Sequence, residues 1–182
     1  PDVVHCHDWQ TGLIPVYLKD RFRGGEFFAN MKSVMTIHNL KFQGVWDVKT
    51  IQRFSMLPDY YFTPDKLEAY KDGNMLKGGI VFADAITTVS QTYAEEIKMP
   101  FYGEGLDGLM RARAGDLRGI VNGIDYDEFN PETDKLIAQP YNARNFRKEK
   151  GKNKKQLQTQ LGLPVDEKKF MVGIVSRLTD QK

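Results

Sequence analysis

Two histidines and an acid fall within four residues, at His5, His7 and Asp8, and a third imidazole follows at His38. Side chains of these types bind divalent metals, move protons or hydrogen-bond sugar hydroxyls. Alternate positions on a strand place His5 and His7 on one face, the arrangement of a metal-binding His-x-His pair. Only His38 remains as a third imidazole, and no His-x-x-x-Asp-His continuation follows. A hydrogen-bonded strand end is therefore the simpler reading, and a metal hydrolase is the alternative that stoichiometric zinc would reveal. A second candidate pair is Arg177 and Lys182, five residues apart in the run SRLTDQK. The planar guanidinium fork and the ammonium point charge suit the oxygens of a diphosphate. The competing reading is a surface loop in which Arg177 pairs with Asp180.

Two further segments invite chemistry and lose it on inspection. Gly103–Gly108 (GEGLDG) matches G-x-G-x-x-G, but the dinucleotide fingerprint requires a strand directly before it, and a helix ending near Met99-Pro100 precedes it here. What remains is a loop able to approach a ligand closely. Arg144–Lys155 (RNFRKEKGKNKK) is basic, yet Phe146 is its only aromatic. A nucleic-acid platform interleaves aromatics with its bases, so a solvated helix start or linker is the better reading. A salt-sensitive shift with an oligonucleotide would mark the alternative.

The elements that must position these groups can be read from apolar runs. Pro1–His7, Lys32–His38, Ala85–Val89, Leu117–Val121 and Phe170–Val175 read as buried strands. Helical stretches are expected at Gly12–Arg21, after the Thr63-Pro64 cap, at Asn74–Phe82, at Gln91–Lys98 behind a Ser90 cap, and at Lys154–Leu161 before Gly162. Strands alternating with helices predict a parallel α/β sheet. Ligands of such sheets sit beyond the carboxyl ends of the strands. The residues in those places are His7-Asp8-Trp9, His38-Asn39-Leu40, Ser90, Asn122-Gly123-Ile124-Asp125 and Ser176-Arg177-Leu178.

Composition narrows the class. The 182 residues are 41% hydrophobic and 27% charged, enough for a packed core and unlike a disordered chain. A single cysteine, Cys6, excludes an internal disulfide. No apolar run approaches the ~20 residues that span a bilayer, and no signal peptide opens the sequence. The lone thiol suits a bacterial cytoplasm, or a plastid if a transit peptide lies upstream of Pro1. The first residue is not Met, which leads us to expect that the true start lies upstream. Residues 1–140 carry 15 Lys/Arg against 20 Asp/Glu, and residues 141–182 carry 11 against 4, a switch that implies a boundary near residue 140.

Taken in order, HCHDWQTGL (5–13), TIHNLKFQGV (37–45), LKGGIVFADAITTVSQTYAEEI (76–97), YGEGLDGLMRAR (102–113), GIVNGIDYDEFNPETD (119–134) and VSRLTDQK (175–182) resemble the bacterial glycogen synthase and plant starch synthase family. The resemblance implies a GT-B fold, in which two Rossmann-like α/β domains face each other across a cleft. Residues 1–121 would be the carboxyl-terminal part of the first domain, 122–150 the hinge or linker, and 151–182 the start of the second. It implies a retaining transferase that moves glucose from ADP-glucose to the non-reducing end of an α-1,4-glucan. No metal, other cofactor, nucleic acid or membrane would be involved. Another GT-B enzyme using UDP-glucose is the alternative.

Carried onto this sequence, Asp8 matches the acid of the His-Asp-Trp motif at the sugar pocket. His38 matches the histidine that contacts the transferred glucose, and Asn122 the asparagine near the glucose and hinge. Arg177 and Lys182 match the pair that holds the donor diphosphate. Trp9, Asn39, Gln43 and Gly44 are further substrate contacts. Gln10 stands where the family often has histidine, so no acceptor contact is assigned there. The family's Lys-x-Gly-Gly loop and its later acidic element do not occur in these residues, so the resemblance implies a fragment that cannot turn over alone.

Overall fold

The computed structural model describes residues 2–179. Lys182 of the expected cation pair, with Asp180 and Gln181, lies outside the described residues. The chain divides into two compact units, Pro1–Asn122 and Gly123–Lys182.

The first unit runs β1 (Val3–His7), a 3-10 turn at Trp9–Thr11, α1 (Leu13–Lys19), β2 (Lys32–Ile37), β3 (Val45–Trp46), α2 (Val48–Ser55), β4 (Glu68–Ala69), β5 (Asp72–Asn74), α3 (Met75–Phe82), β6 (Ala85–Thr88), α4 (Gln91–Glu96), α5 (Asp107–Ala112) and β7 (Leu117–Gly119). Strands β1, β2, β6 and β7 form one parallel sheet in that order. This is the α/β architecture expected from the alternation of strand and helix. All four strands point the same way, so the segments that follow them share one rim.

Local chemistry sets most of the boundaries. The Asn74 side chain caps α3 by accepting from the Lys77 N–H at 2.9 Å, and Ser90 Oγ caps α4 by accepting from the Tyr93 N–H at 3.2 Å. Pro15 sits in the first turn of α1, where its missing N–H costs nothing. Gly79, a weak helix former, earns its place by contact. A Cβ there would lie 2.4 Å from Met35 Cε and 3.1 Å from Gly12 Cα, so only glycine lets α3 press this closely on the sheet. Leu76, Ile80, Met35, Ile37 and Ile86 fill the resulting core. Asp84 ties the start of β6 to its neighbours. Its carboxylate accepts from the Ser33 N–H at 2.8 Å, Ser33 Oγ at 3.1 Å and Lys19 Nζ at 2.7 Å.

The helix expected after Thr63-Pro64 does not form. That stretch makes turns and then a small antiparallel ribbon in the order β3-β5-β4. The Leu67 N–H goes to the Tyr61 carbonyl, and Lys77 Nζ reaches the carbonyls of Pro64 and Glu68, so tertiary partners replace an intrahelical ladder. The hairpin turn is Tyr70-Lys71, both at positive φ (55° and 76°), the geometry of a two-residue loop usually written with asparagine and glycine.

The second unit is organised around α6 (Phe146–Gln160), which takes up the basic segment. Asn153 and Gln139 exchange two hydrogen bonds of 2.8 Å, and Gln158 Nε2 donates to the Asp166 carbonyl at 3.1 Å. Gly162, at φ +66°, ends the helix as expected. The strand expected at Phe170–Val175 is not formed, and Phe170 and Ile174 are 91% and 87% exposed. A parallel strand needs a neighbour for its N–H and C=O groups, and no strand lies among the described residues of this unit. Among the described residues no helix is long and apolar enough to cross a membrane.

Candidate functional site

At the sheet rim, β1 ends in an unusual backbone conformation. Asp8 adopts φ 53°, ψ −170°, a region all but closed to residues with a Cβ. Such strain costs about 1–3 kcal/mol and persists only where surrounding contacts hold it. Here the Asp8 N–H extends the ladder to the Thr36 carbonyl at 3.0 Å. Its carboxylate Oδ1 crosses to the next strand end, accepting from the His38 N–H at 2.8 Å and, more weakly, from the Asn39 N–H at 3.5 Å. The strained residue thus clamps the loop that carries His38.

That loop is held along its whole length. Asn39 Oδ1 accepts from the Lys41 N–H at 3.1 Å, and the Leu40 N–H donates to the Tyr93 hydroxyl at 3.1 Å. Gln43 Nε2 donates to the carbonyls of Leu40 (3.1 Å) and Glu104 (2.9 Å), while its Oε1 accepts from Asn74 Nδ2 at 2.6 Å. The carbonyls of Gln43 and Gly44 then accept the first N–H groups of α3, from Leu76 at 3.0 Å and Met75 at 3.1 Å. Gly44 has φ +64°, and a Cβ there would meet Trp9 Cε3 at 2.6 Å, so the loop closes over the indole only because this residue is glycine. Trp9 in turn packs edge-on against Trp46, ring centroids 5.3 Å apart.

The three imidazoles form a row. His5 and His7 ring centroids lie 4.3 Å apart, and His7 and His38 5.2 Å apart. His7 Nδ1 is 3.0 Å from His38 Nε2, and His5 Nε2 is 2.6 Å from Thr36 Oγ1. Burial, then the neighbouring His5 and His38 imidazoles, push the His7 pKa below its usual value against the opposing pull of Asp8. Among the described residues no three His, Cys, Asp or Glu side chains are grouped as a metal site needs.

The structure therefore gathers six of the expected residues, Asp8, Trp9, His38, Asn39, Gln43 and Gly44, into one hydrogen-bonded rim. Asn122 is exposed after β7, and Arg177 is exposed in the second unit, in a segment without regular structure. Ser90, also at a strand end, spends its hydroxyl on the α4 cap. The Gly103–Gly108 loop follows a helix rather than a strand. With Lys77 and Tyr70 it lines a cavity of about 370 Å³. Tyr93 and Trp46 are missing from the sequence-based set, and His7, though named there at a strand end, was given no role at the sugar. Nothing local marks Tyr93 as the partner of a loop 53 residues away. His7 carried a signal, the His-x-His spacing, but not the identity of its partner.

A model of the starch synthase catalytic domain family matches residues 1–112. Glycogen synthases of Lachnospira eligens and Lachnoclostridium phytofermentans are 70% and 68% identical to this chain over all of its length, and that of Thermotoga maritima is 53% identical. The chain spans 37–38% of the length of these relatives. The catalytic domain of starch synthase IV from Arabidopsis thaliana, in a structure bound to ADP and acarbose, matches 90% of this chain and 34% of its own at a TM-score of 0.74 and 32% identity. With the rim geometry and the parallel sheet behind it, these matches establish that the chain belongs to the starch synthase catalytic domain family.

Proposed function

We propose that this chain is part of a retaining glycosyltransferase that moves glucose from ADP-glucose to the non-reducing end of an α-1,4-glucan, and that it does not turn over alone. Residues 1–121 belong to the first domain of the enzyme, 122–150 to its hinge and 151–182 to the start of the second. One observation carries the reading: Asp8 and His38 are locked together at the carboxyl rim of a parallel sheet in a chain 70% identical to a glycogen synthase.

The chemistry follows from those groups. Breaking the bond between the anomeric carbon and phosphate builds positive character on the sugar and negative charge on the departing diphosphate. His38 and Asp8 orient the sugar hydroxyls, with Asn39, Gln43 and Gly44 shaping the loop around them and Trp9 forming its floor. Asn122 contacts the glucose near the hinge. Arg177 and Lys182 neutralise the diphosphate, and this fixed charge does the work without a metal cofactor. Closure of the second domain excludes water that would hydrolyse the donor. The enzyme acts in the cytoplasm, on ADP-glucose and glucan, with no nucleic-acid or membrane partner.

The test is glucose transfer to glycogen by the protein over its whole natural length, with ADP-glucose and UDP-glucose in competition and with EDTA present. Transfer from ADP-glucose, insensitive to the chelator and reduced about 10²- to 10³-fold by Arg177→Ala, is expected. Transfer from UDP-glucose alone overturns the donor assignment. Absence of transfer from either donor overturns the function.

A further inference from the structure

We propose that His7 is the positioning residue for His38, the two imidazoles sharing one proton between His7 Nδ1 and His38 Nε2. The proposal rests on the reading that His38 meets the transferred sugar, and it adds a residue that neither motif spacing nor strand-end position had marked for that role.

The argument is geometric. The two nitrogens are 3.0 Å apart, a distance that requires one N–H facing one lone pair. The tautomers are therefore coupled: whichever ring donates, the other accepts. In either arrangement the His38 nitrogen left for a ligand is Nδ1, which has no partner among the described residues. The pair is also anchored at both ends. His5 stacks behind His7 and is held through Thr36 Oγ1, which lies 2.6 Å from Thr87 Oγ1 on the next strand. The His38 backbone is fixed by the Asp8 carboxylate. Thr11 Oγ1 accepts from the His7 N–H at 2.6 Å and donates to its carbonyl at 2.8 Å, which fixes the strand end that carries the ring.

Charge limits the pair to one extra proton. The titratable groups facing His7 are His5 and Asp8 on its own strand end and His38 from the β2 loop. Two imidazolium rings would set N–H against N–H and break the contact. The neutral or singly protonated pair is therefore the form that keeps the contact.

The test compares His7→Ala and His7→Asn in the protein over its whole natural length. Asparagine returns an amide group close to the position of Nδ1. The histidine ring-nitrogen chemical shifts are followed against pH, and kcat and KM are measured in parallel. The expected result is that His7→Ala changes the His38 tautomer balance. It also lowers kcat about tenfold or more at little-changed KM, and His7→Asn recovers part of both effects. His38 ring-nitrogen shifts unchanged in His7→Ala overturn the proposal. The ring-nitrogen readout needs no turnover. An unsubstituted protein that transfers no glucose would therefore overturn the functional reading while the His7–His38 assignment is still decided by its own signal.

Discussion

The two units of this chain contrast in what holds them. The first contains every buried apolar side chain found among the described residues, in two clusters, with Met35, Ile37, Leu76, Ile80 and Ile86 fully inaccessible. In the second, the buried residues are the polar Glu149 and Gln158, and Leu136, Phe170 and Ile174 stand exposed. Apolar content does not separate them, because Phe170–Val175 is more apolar than β2. The difference is partnership. A strand in the middle of a parallel sheet has both edges paired and both faces covered, whereas among the described residues the Phe170–Val175 run has no strand beside it and is exposed except at Met171. The rim that carries Asp8 and His38 accordingly stands on the unit with the core, where a strained backbone can be held.

The comparison can be broken most directly by substitution in the two units. Leu76→Ala, which empties a site in the first core, is expected to lower the unfolding free energy by about 2–5 kcal/mol, while Phe170→Ala stays within about 0.5 kcal/mol. Denaturant midpoints decide this, and comparable losses would mean that the second unit has a hidden core. A smaller effect is expected at Asp84. Burial raises its pKa, but the Lys19 ammonium and the Ser33 N–H and hydroxyl outweigh it, so the net shift is below the usual 3.8. The unfolded chain then binds the proton more readily, so this contribution to stability is present above that value and disappears as pH falls below it. Asp84→Ala should cost about 1–3 kcal/mol at neutral pH and progressively less in acid, as thermal melts across pH will show. The smallest effect belongs to the second unit. Lys155 and Glu167 form an ion pair with side chains 52% and 63% exposed. Lys155→Ala should leave the denaturant midpoint essentially unchanged at moderate salt, and a clear loss would place that pair in the framework of the unit.

Much of the first unit was legible residue by residue. The β-branched runs marked β1, β2, β6 and β7, and the Ser90 cap marked a helix start, as the Gly162 stop marked a helix end in the second unit, because these signals act within a few residues of chain. The same logic failed at Thr63-Pro64. A sound capping dipeptide there was overruled by Leu67, Lys77 and the β5 strand, and the Tyr70-Lys71 hairpin turn carries none of the usual turn residues. At the site, the strand-end rule and the family resemblance together located Asp8, His38, Asn39, Gln43 and Gly44. Neither could reveal that Asp8 grips the His38 backbone, that Tyr93 steadies Leu40, or that His7 faces His38.

By itself, then, the sequence determined the alternation of strand and helix, the polar rim at the strand ends and the family to which the chain belongs. Periodicity and composition report whether a residue is buried, and caps and breakers report where an element stops. Tertiary structure alone decided the strand order β1-β2-β6-β7, the close approach at Gly79, the unpaired state of Phe170–Val175 and the contact between His7 and His38. Each of these depends on groups far apart along the chain meeting in space, and the free energy of such a meeting resides in the pair rather than in either segment.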